Sequence, residues 1–196
     1  MSEKVENKTA SVIKTAAILF VITALAATLL AFLNNITAPI IAENTAANQQ
    51  LALKSVMDAD EFKEIEVTDI MTAIAKDHGS EVDSVYEAIS NGENVGYCAI
   101  ITTSGYDVGI QLAAGADADG KITGVEIIAS NETPGLGQNA SKPEFIDQYI
   151  GKEAGIKVVK TGAADNEINA ISGATMTSNG VTNAVNTLLE IVKEEL

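Results

Sequence analysis

From Thr15 to Leu33 the chain carries no charged residue and is dense in Ala, Leu, Ile, Val and Phe. As a helix this run rises about 28 Å, close to the hydrocarbon thickness of a bilayer. No other feature constrains the fold so strongly, because so apolar a run either crosses a membrane or is cut away as a leader. The uncharged character persists to Ala42, and Pro39 is expected to end or bend the helix soon after it leaves the membrane. Lys4, Lys8 and Lys14 precede the run, whereas the next lysine is Lys54. The positive-inside rule therefore places the N-terminus in the cytoplasm and everything after the span outside. A cleaved signal peptide also begins with lysines. This run is longer than a signal core, however, and its end (Leu33-Asn34-Asn35-Ile36-Thr37) has no small-x-small cleavage pattern. The reading is an uncleaved transmembrane anchor over residues 15–36, behind a cytoplasmic stretch 1–14.

The 196 residues suffice for one ordinary domain besides the anchor. All 12 basic residues are lysines and the net charge is −15. That combination argues against nucleic acid as a partner, since the chain would repel phosphate and lacks the bidentate arginine fork. Cys98 is the single cysteine, which excludes an intramolecular disulfide and a cysteine-ligated cluster. His78 is the single histidine, so no histidine-rich metal or haem site is expected. Redox chemistry by this chain would place the electrons on an organic cofactor or a partner. The acidic surface also disfavours docking on anionic lipid, leaving the anchor to hold the chain at the membrane.

Residues 44–76 read as helical, with Leu51, Leu53, Val56 and Met57 on one short helix and Phe62, Ile65, Ile70 and Ile74 on further pieces. This gives a helical connector over 37–80. Strand signals follow. Residues 84–89 and 95–101 flank Asn91-Gly92, a hairpin-turn pair, and residues 109–114 and 121–128 flank Asp119-Gly120, a second such turn. Phe145 to Ile150 reads as helical and ends at Gly151. The class expected is α+β, a mostly antiparallel sheet with packed helices, over residues 81–196. Asp117-Ala118-Asp119-Gly120 looks like part of a calcium loop but lacks the further ligands at the required spacing, so it reads as a hairpin turn. Cys98 lies within an apolar strand pattern and reads as a small buried hydrophobe.

Two segments carry chemical interest. Ser172-Gly173-Ala174-Thr175-Met176-Thr177-Ser178 stands before an amphipathic run in which Val181, Ala184, Val185, Leu188, Leu189 and Val192 recur at helical spacing. Small residues let a bulky group approach the backbone, and a helix N-terminus offers free N–H groups to a phosphate. A threonine hydroxyl there is placed to carry a phosphoryl group. The same residues also read as an ordinary turn and helix cap, with Thr177 and Ser178 the capping hydroxyls. Asn131-Glu132-Thr133-Pro134-Gly135-Leu136-Gly137 follows a strand, and its Pro-Gly pair sets a tight turn. A structural loop explains it; so does a compact wall of exposed N–H groups against a planar ring.

The anchor, the Gly105-Tyr106 turn, the Asp119-Gly120 hairpin, the Glu132–Gly137 loop and the Ser172–Ser178 motif occur in the order found in one family. The chain resembles the G subunit of the bacterial Rnf complex, an ion-translocating ferredoxin:NAD oxidoreductase. It is also similar to the C subunit of the sodium-pumping NADH:quinone oxidoreductase, which is usually longer. The resemblance implies FMN held covalently, with Thr175 esterified to its phosphate by a separate flavin transferase that uses FAD. Ser172, Gly173 and Ala174 would fit that transferase, Thr177 belongs to the same FMN-binding motif, and Glu132, Thr133, Pro134, Gly135, Leu136 and Gly137 would line the isoalloxazine. The family's acceptor signature usually begins with aspartate three residues before the serine; here Asn169 stands there. Asp107-Val108 likewise replaces the small residues common after the Gly-Tyr turn.

The resemblance thus implies an electron-carrier component of a translocase, facing the outside of the cytoplasmic membrane. It would work with the other subunits of the complex and perform no substrate reaction alone. Two other classes stay open on the residues themselves. One is a membrane-tethered sensor that binds an unattached ligand in the same pocket. The other is a threonine-nucleophile hydrolase, weakened by the absence of histidine near Thr175.

Overall fold

The computed structural model describes residues 2–196; of residues 2–11 and Ala42 only the course of the backbone is described. The chain forms two compact units, one ending at Ala46 and one running from Ala47 to Leu196. The first consists of most of helix α1 (Ser2–Val56), which passes Pro39 without ending; of the end or bend expected at that proline, the end does not occur. Its apolar side chains from Val12 to Ile41 are exposed. Among the described residues this is the one helix long and apolar enough to cross a membrane. The hydroxyls of Thr23, Thr28 and Thr37 donate to Leu19, Ala24 and Leu33 carbonyls at 2.9, 2.8 and 3.1 Å, so each is satisfied within the helix.

The second unit is built on a five-stranded antiparallel meander in the order β1-β2-β3-β4-β5. The strands are β1 (Glu61–Ile65), β2 (Ser80–Ser90), β3 (Glu93–Ser104), β4 (Val108–Asp117) and β5 (Ile122–Ala129). Asn91 and Gly92 turn β2 into β3 with φ of 52° and 82°, the paired positive angles of a type I′ hairpin. Asp119-Gly120 also turns the chain, but through a longer loop: the Asp117 carboxylate accepts from the Asp119 and Lys121 N–H groups at 3.0 and 2.9 Å. The remaining elements are α2 (Asp69–Asp77), α3 (Pro143–Ile146) between two short 3-10 helices (Gly137–Ser141 and Asp147–Tyr149), a short parallel pair β6 (Lys157–Val159) and β7 (Glu167–Asn169), and α4 (Thr175–Glu195). The α+β class expected from the sequence is the one found. β1, however, occupies a stretch that reads as helical.

Both faces of the sheet are covered. Met71 and Ile74 of α2 and Val181, Val185, Leu188 and Leu189 of α4 pack with Val85, Ala99, Ile101 and Leu112 on one face. Ala52, Leu53 and Val56 at the end of α1 pack with Ala88, Cys98, Ile100 and Ala113 on the other. Double coverage explains why the run Cys98–Ile101 is apolar at every position rather than alternating. Burial pushes the Cys98 thiol up from its ordinary 9.0 to about 12, as befits a structural cysteine. The α1 contact is unusually close. Gly115 and Gly124 stand opposite each other on β4 and β5, and the Val56 backbone lies directly over them. A Cβ on Gly124 would sit 2.8 Å from Val56 Cα, and Thr123 donates its hydroxyl to the Val56 carbonyl at 2.6 Å. The small cross-strand pair thus lets a helix end rest on the sheet, where its carbonyl finds a side-chain donor.

Candidate functional site

Helix α4 begins without a side-chain cap. Its N-cap is Ala174, held by a turn in which the Ala174 N–H donates to the Ile171 carbonyl at 3.0 Å. Gly173 takes φ of 77° in that turn, the angle wanted at the third position of a type II turn. The first backbone bond belongs to the Ser178 N–H, which reaches the Ala174 carbonyl at 3.0 Å. Among the described residues the N–H groups of Thr175, Met176 and Thr177 therefore have no partner, at the positive end of a 21-residue helix. Thr175 is the first helical residue and is exposed; among the described residues its hydroxyl has no partner.

The expected capping by Thr177 and Ser178 is not what forms. Both hydroxyls lie within the helix, on its buried side, and cannot reach back to its first N–H groups. Ser178 donates to the Ala174 carbonyl at 3.0 Å and accepts from the Ile171 N–H at 2.9 Å, locking the preceding turn. Thr177 donates to Glu132 Oε2 at 3.0 Å.

The second motif is also built on a turn. The Leu136 N–H donates to the Thr133 carbonyl at 3.1 Å, with Pro134 and Gly135 at the corner and Gly135 at φ 77°. The Gln138 N–H joins the same carbonyl at 3.3 Å. Of the N–H groups expected to face a ring, that of Leu136 is thus used inside the loop, and that of Glu132 donates to Ser130 Oγ at 3.2 Å. Glu132 is the keystone. It is 3% exposed, and its Oε1 accepts from the Tyr106 and Asp107 N–H groups at 2.8 and 3.1 Å, while its Oε2 takes the Thr177 hydroxyl. One carboxylate therefore ties the β3–β4 loop, its own loop and the first turn of α4. Glycine is obligatory around it: a Cβ on Gly137 would stand 2.7 Å from Glu132 Cβ, and one on Gly105 would strike Oε1 and lie 3.0 Å from Thr177 Cα. Gly180, pressed on the Ser104 carbonyl, brings α4 equally close to the end of β3.

These walls enclose a cleft of about 510 Å³. Glu132, Thr133, Leu136, Gly137, Gly173, Ala174, Thr175 and Thr177 line it. Pro134 and Gly135 form the outer corner of their loop and Ser172 the exposed corner of the other turn, so these three lie outside the lining. Asn169 is also outside the lining, at the end of β7, where its Oδ1 accepts from the Ala163 N–H at 3.2 Å and its N–H donates to Gln148 Oε1 at 2.8 Å. Two lining residues were not among those singled out for the cofactor: Tyr106, 78% exposed, and Met176, 59% exposed. Met176 carries a signal of its own, since it falls off the apolar stripe of α4 and is held in water for no packing reason.

All ten lining residues fall within 105–190, the segment that matches the family model described as the FMN-binding domain. Residues 1–56, ending where α1 ends, match the RnfG N-terminal region. The G subunit of the Na(+)-translocating ferredoxin:NAD(+) oxidoreductase complex of Acetobacterium woodii is 43% identical over 199 residues, covering 96% of this chain and 95% of that protein. This chain belongs to the family of Rnf G subunits. The G subunit of the proton-translocating ferredoxin:NAD(+) oxidoreductase complex of Clostridium ljungdahlii is 32% identical over 159 residues, 80% of this chain and 78% of its own. Among solved structures, the C subunit of the Na(+)-translocating NADH-quinone reductase from Parabacteroides distasonis is similar, with 26% identity, a TM-score of 0.52, and coverage of 77% of this chain and 92% of that one. In this family member the two motifs read from the sequence form facing walls of one cleft within the FMN-binding match.

Proposed function

We infer that this chain is the FMN-bearing electron carrier of an ion-translocating ferredoxin:NAD(+) oxidoreductase complex, with the flavin esterified to Thr175. The observation that carries the reading is the cleft in which the partnerless Thr175 hydroxyl and the free N–H groups of α4 face the Glu132–Gly137 loop. Its residues fit a flavin. The volume lies in the usual ligand range, Gly137 and Gly173 keep the walls low, and Tyr106, Leu136 and Met176 offer apolar surface to a planar ring. The free N–H groups and the helix dipole suit a phosphate. A bound flavin supplies reversible electron transfer between partner subunits; the chain supplies its place and field.

Attachment joins Thr175 Oγ1 to the flavin-side phosphorus of FAD, breaks that phosphorus's bond to the AMP oxygen, and releases AMP as the hydroxyl proton departs. A flavin transferase performs this step. The exposed corner at Ser172 and Gly173 presents the acceptor, and Thr177, fully buried, is unavailable as a rival. Residues 1–14 lie in the cytoplasm, 15–36 anchor the chain, 37–80 connect and 81–196 hold the flavin outside, where a covalent bond prevents its loss. The C subunit of a sodium pump is the weaker reading, because the similarity to Rnf G subunits spans nearly the whole chain.

The test is co-expression with a matching flavin transferase, followed by intact-mass measurement and gel fluorescence after denaturation. The expected result is a gain of FMN less one water, lost in Thr175→Ala. Asn169→Asp keeps the Ala163 contact and restores the family's carboxylate, so its flavin content is expected to equal or exceed that of the original. Full flavin in Thr175→Ala, or none in the original chain, overturns the assignment. External protease that leaves the domain protected in intact cells overturns the orientation.

A further inference from the structure

We propose that Glu132 sets the reduction potential of the flavin, as a fixed negative charge in the wall of the cleft. The inference rests on the reading of this cleft as the flavin site. Among the described residues that line the cleft, Glu132 alone carries a charged side chain. Its carboxylate is buried and cannot rotate away, because both oxygens are engaged by three donors from two other segments. The acceptor-only form of a carboxylate matches those donors. The nearby Asp107 is different: it is exposed, its Oδ1 accepts from the Val108 N–H at 2.8 Å, and solvent screens it. The positive pole of α4 acts on Glu132 through Thr177, but it amounts to about half a unit charge, so it offsets the carboxylate without cancelling it.

The consequence follows from charge balance. A flavin that accepts two electrons and one proton gains one negative charge, and so does one that accepts a single electron. A fixed carboxylate in a wall of low dielectric disfavours that gain. The oxidised ring is favoured relative to the reduced one, and the potential falls. Burying an acid among glycines that leave it just enough room is an expensive arrangement for a loop staple alone, since an amide would staple as well.

That last point makes the charge separable from the scaffold. In Glu132→Gln the amide oxygen can still accept from the Tyr106 and Asp107 N–H groups, and the amide nitrogen can donate to Thr177 Oγ1. The same three contacts form without the charge. Glu132→Asp keeps the charge on a shorter side chain.

The experiment is a dithionite titration with mediator dyes, monitored by flavin absorbance, on the full chain loaded by the transferase in detergent. The original chain, Glu132→Gln and Glu132→Asp are compared, with flavin content measured by mass for each. The expected result is a higher midpoint for Glu132→Gln, so that the oxidised-to-reduced ratio at a fixed potential changes about tenfold or more. Glu132→Asp is expected to stay near the original. Equal midpoints in the original and Glu132→Gln overturn the proposal. So does a Glu132→Gln chain that fails to fold or to load, because the amide was expected to preserve the scaffold. An original chain that takes up no flavin is a separate result: it defeats the carrier reading itself, and this proposal with it.

Discussion

The Thr177 hydroxyl donates to Glu132 Oε2 at 3.0 Å across 45 positions of sequence, and both side chains are buried. This bond joins the two motifs of the cleft side chain to side chain. Removing the hydroxyl leaves one buried carboxylate oxygen with its donor gone.

Thr177→Ala is therefore expected to lower stability by about 1–3 kcal/mol, the cost of an unsatisfied buried acceptor. Thr177→Ser retains the donor and is expected to lose about 1 kcal/mol or less, for its missing methyl. Thermal unfolding of the detergent-solubilised chain distinguishes the two. In both variants the flavin mass is expected to remain on Thr175, so loss of covalent flavin in Thr177→Ser would contradict the assignment of roles.

The glycine pair beneath Val56 predicts a second cost. Gly124→Ala puts a Cβ 2.8 Å from Val56 Cα and 2.9 Å from its carbonyl oxygen, atoms of the backbone that cannot swing aside. The expected loss is about 1–3 kcal/mol, as for other overpacked sites. It should be accompanied by faster cleavage near Met57 in limited proteolysis, because the end of α1 is lifted from the sheet. Unchanged melting and unchanged cleavage would show that the contact is looser than its geometry.

Alkaline behaviour is the third expectation. The Cys98 thiol rises from its ordinary 9.0 to about 12 in the folded chain through burial, and burial likewise raises the Tyr149 hydroxyl. As pH climbs through this window the unfolded chain gives up these protons while the folded chain keeps them. Protons are then held more by the folded form, so stability falls as pH rises. The contribution is complete below 9.0 and is lost toward about 12. Denaturant midpoints measured upward from pH 8 should decline, and less steeply in Cys98→Ala. Cys98 should also resist thiol reagents until the chain unfolds, which makes it a single-site reporter of opening.

Much of this architecture was legible in the residues. Asn91-Gly92 determines its hairpin locally, because both positions need positive φ, and the apolar run after Thr15 announces itself by length alone. The strand β1 was not legible. Phe62 and Ile65 stand three apart, the spacing of a helix face, and the charges between them suit an edge strand that pairs on one side only. The two motifs pointed to a site, yet the division of labour within it was hidden. Thr177 and Ser178 sit where caps are commonly found, and only the docking of α4 shows that they face inward. The part played by Glu132 depends on N–H groups more than 20 residues away, which no local pattern records.

The order in which the chain is made gives the Glu132–Thr177 bond a further meaning. The meander β2 to β5 is formed from consecutive hairpins and needs no later segment to pair. The cleft does need one, because half of its wall is the turn and first residues of α4, which follow the sheet by some way in the sequence. Until α4 has been synthesised and has docked, Glu132 has no Thr177 to receive. The site is thus a late product of folding, and anything that recognises the finished cleft reads a chain whose core has already closed.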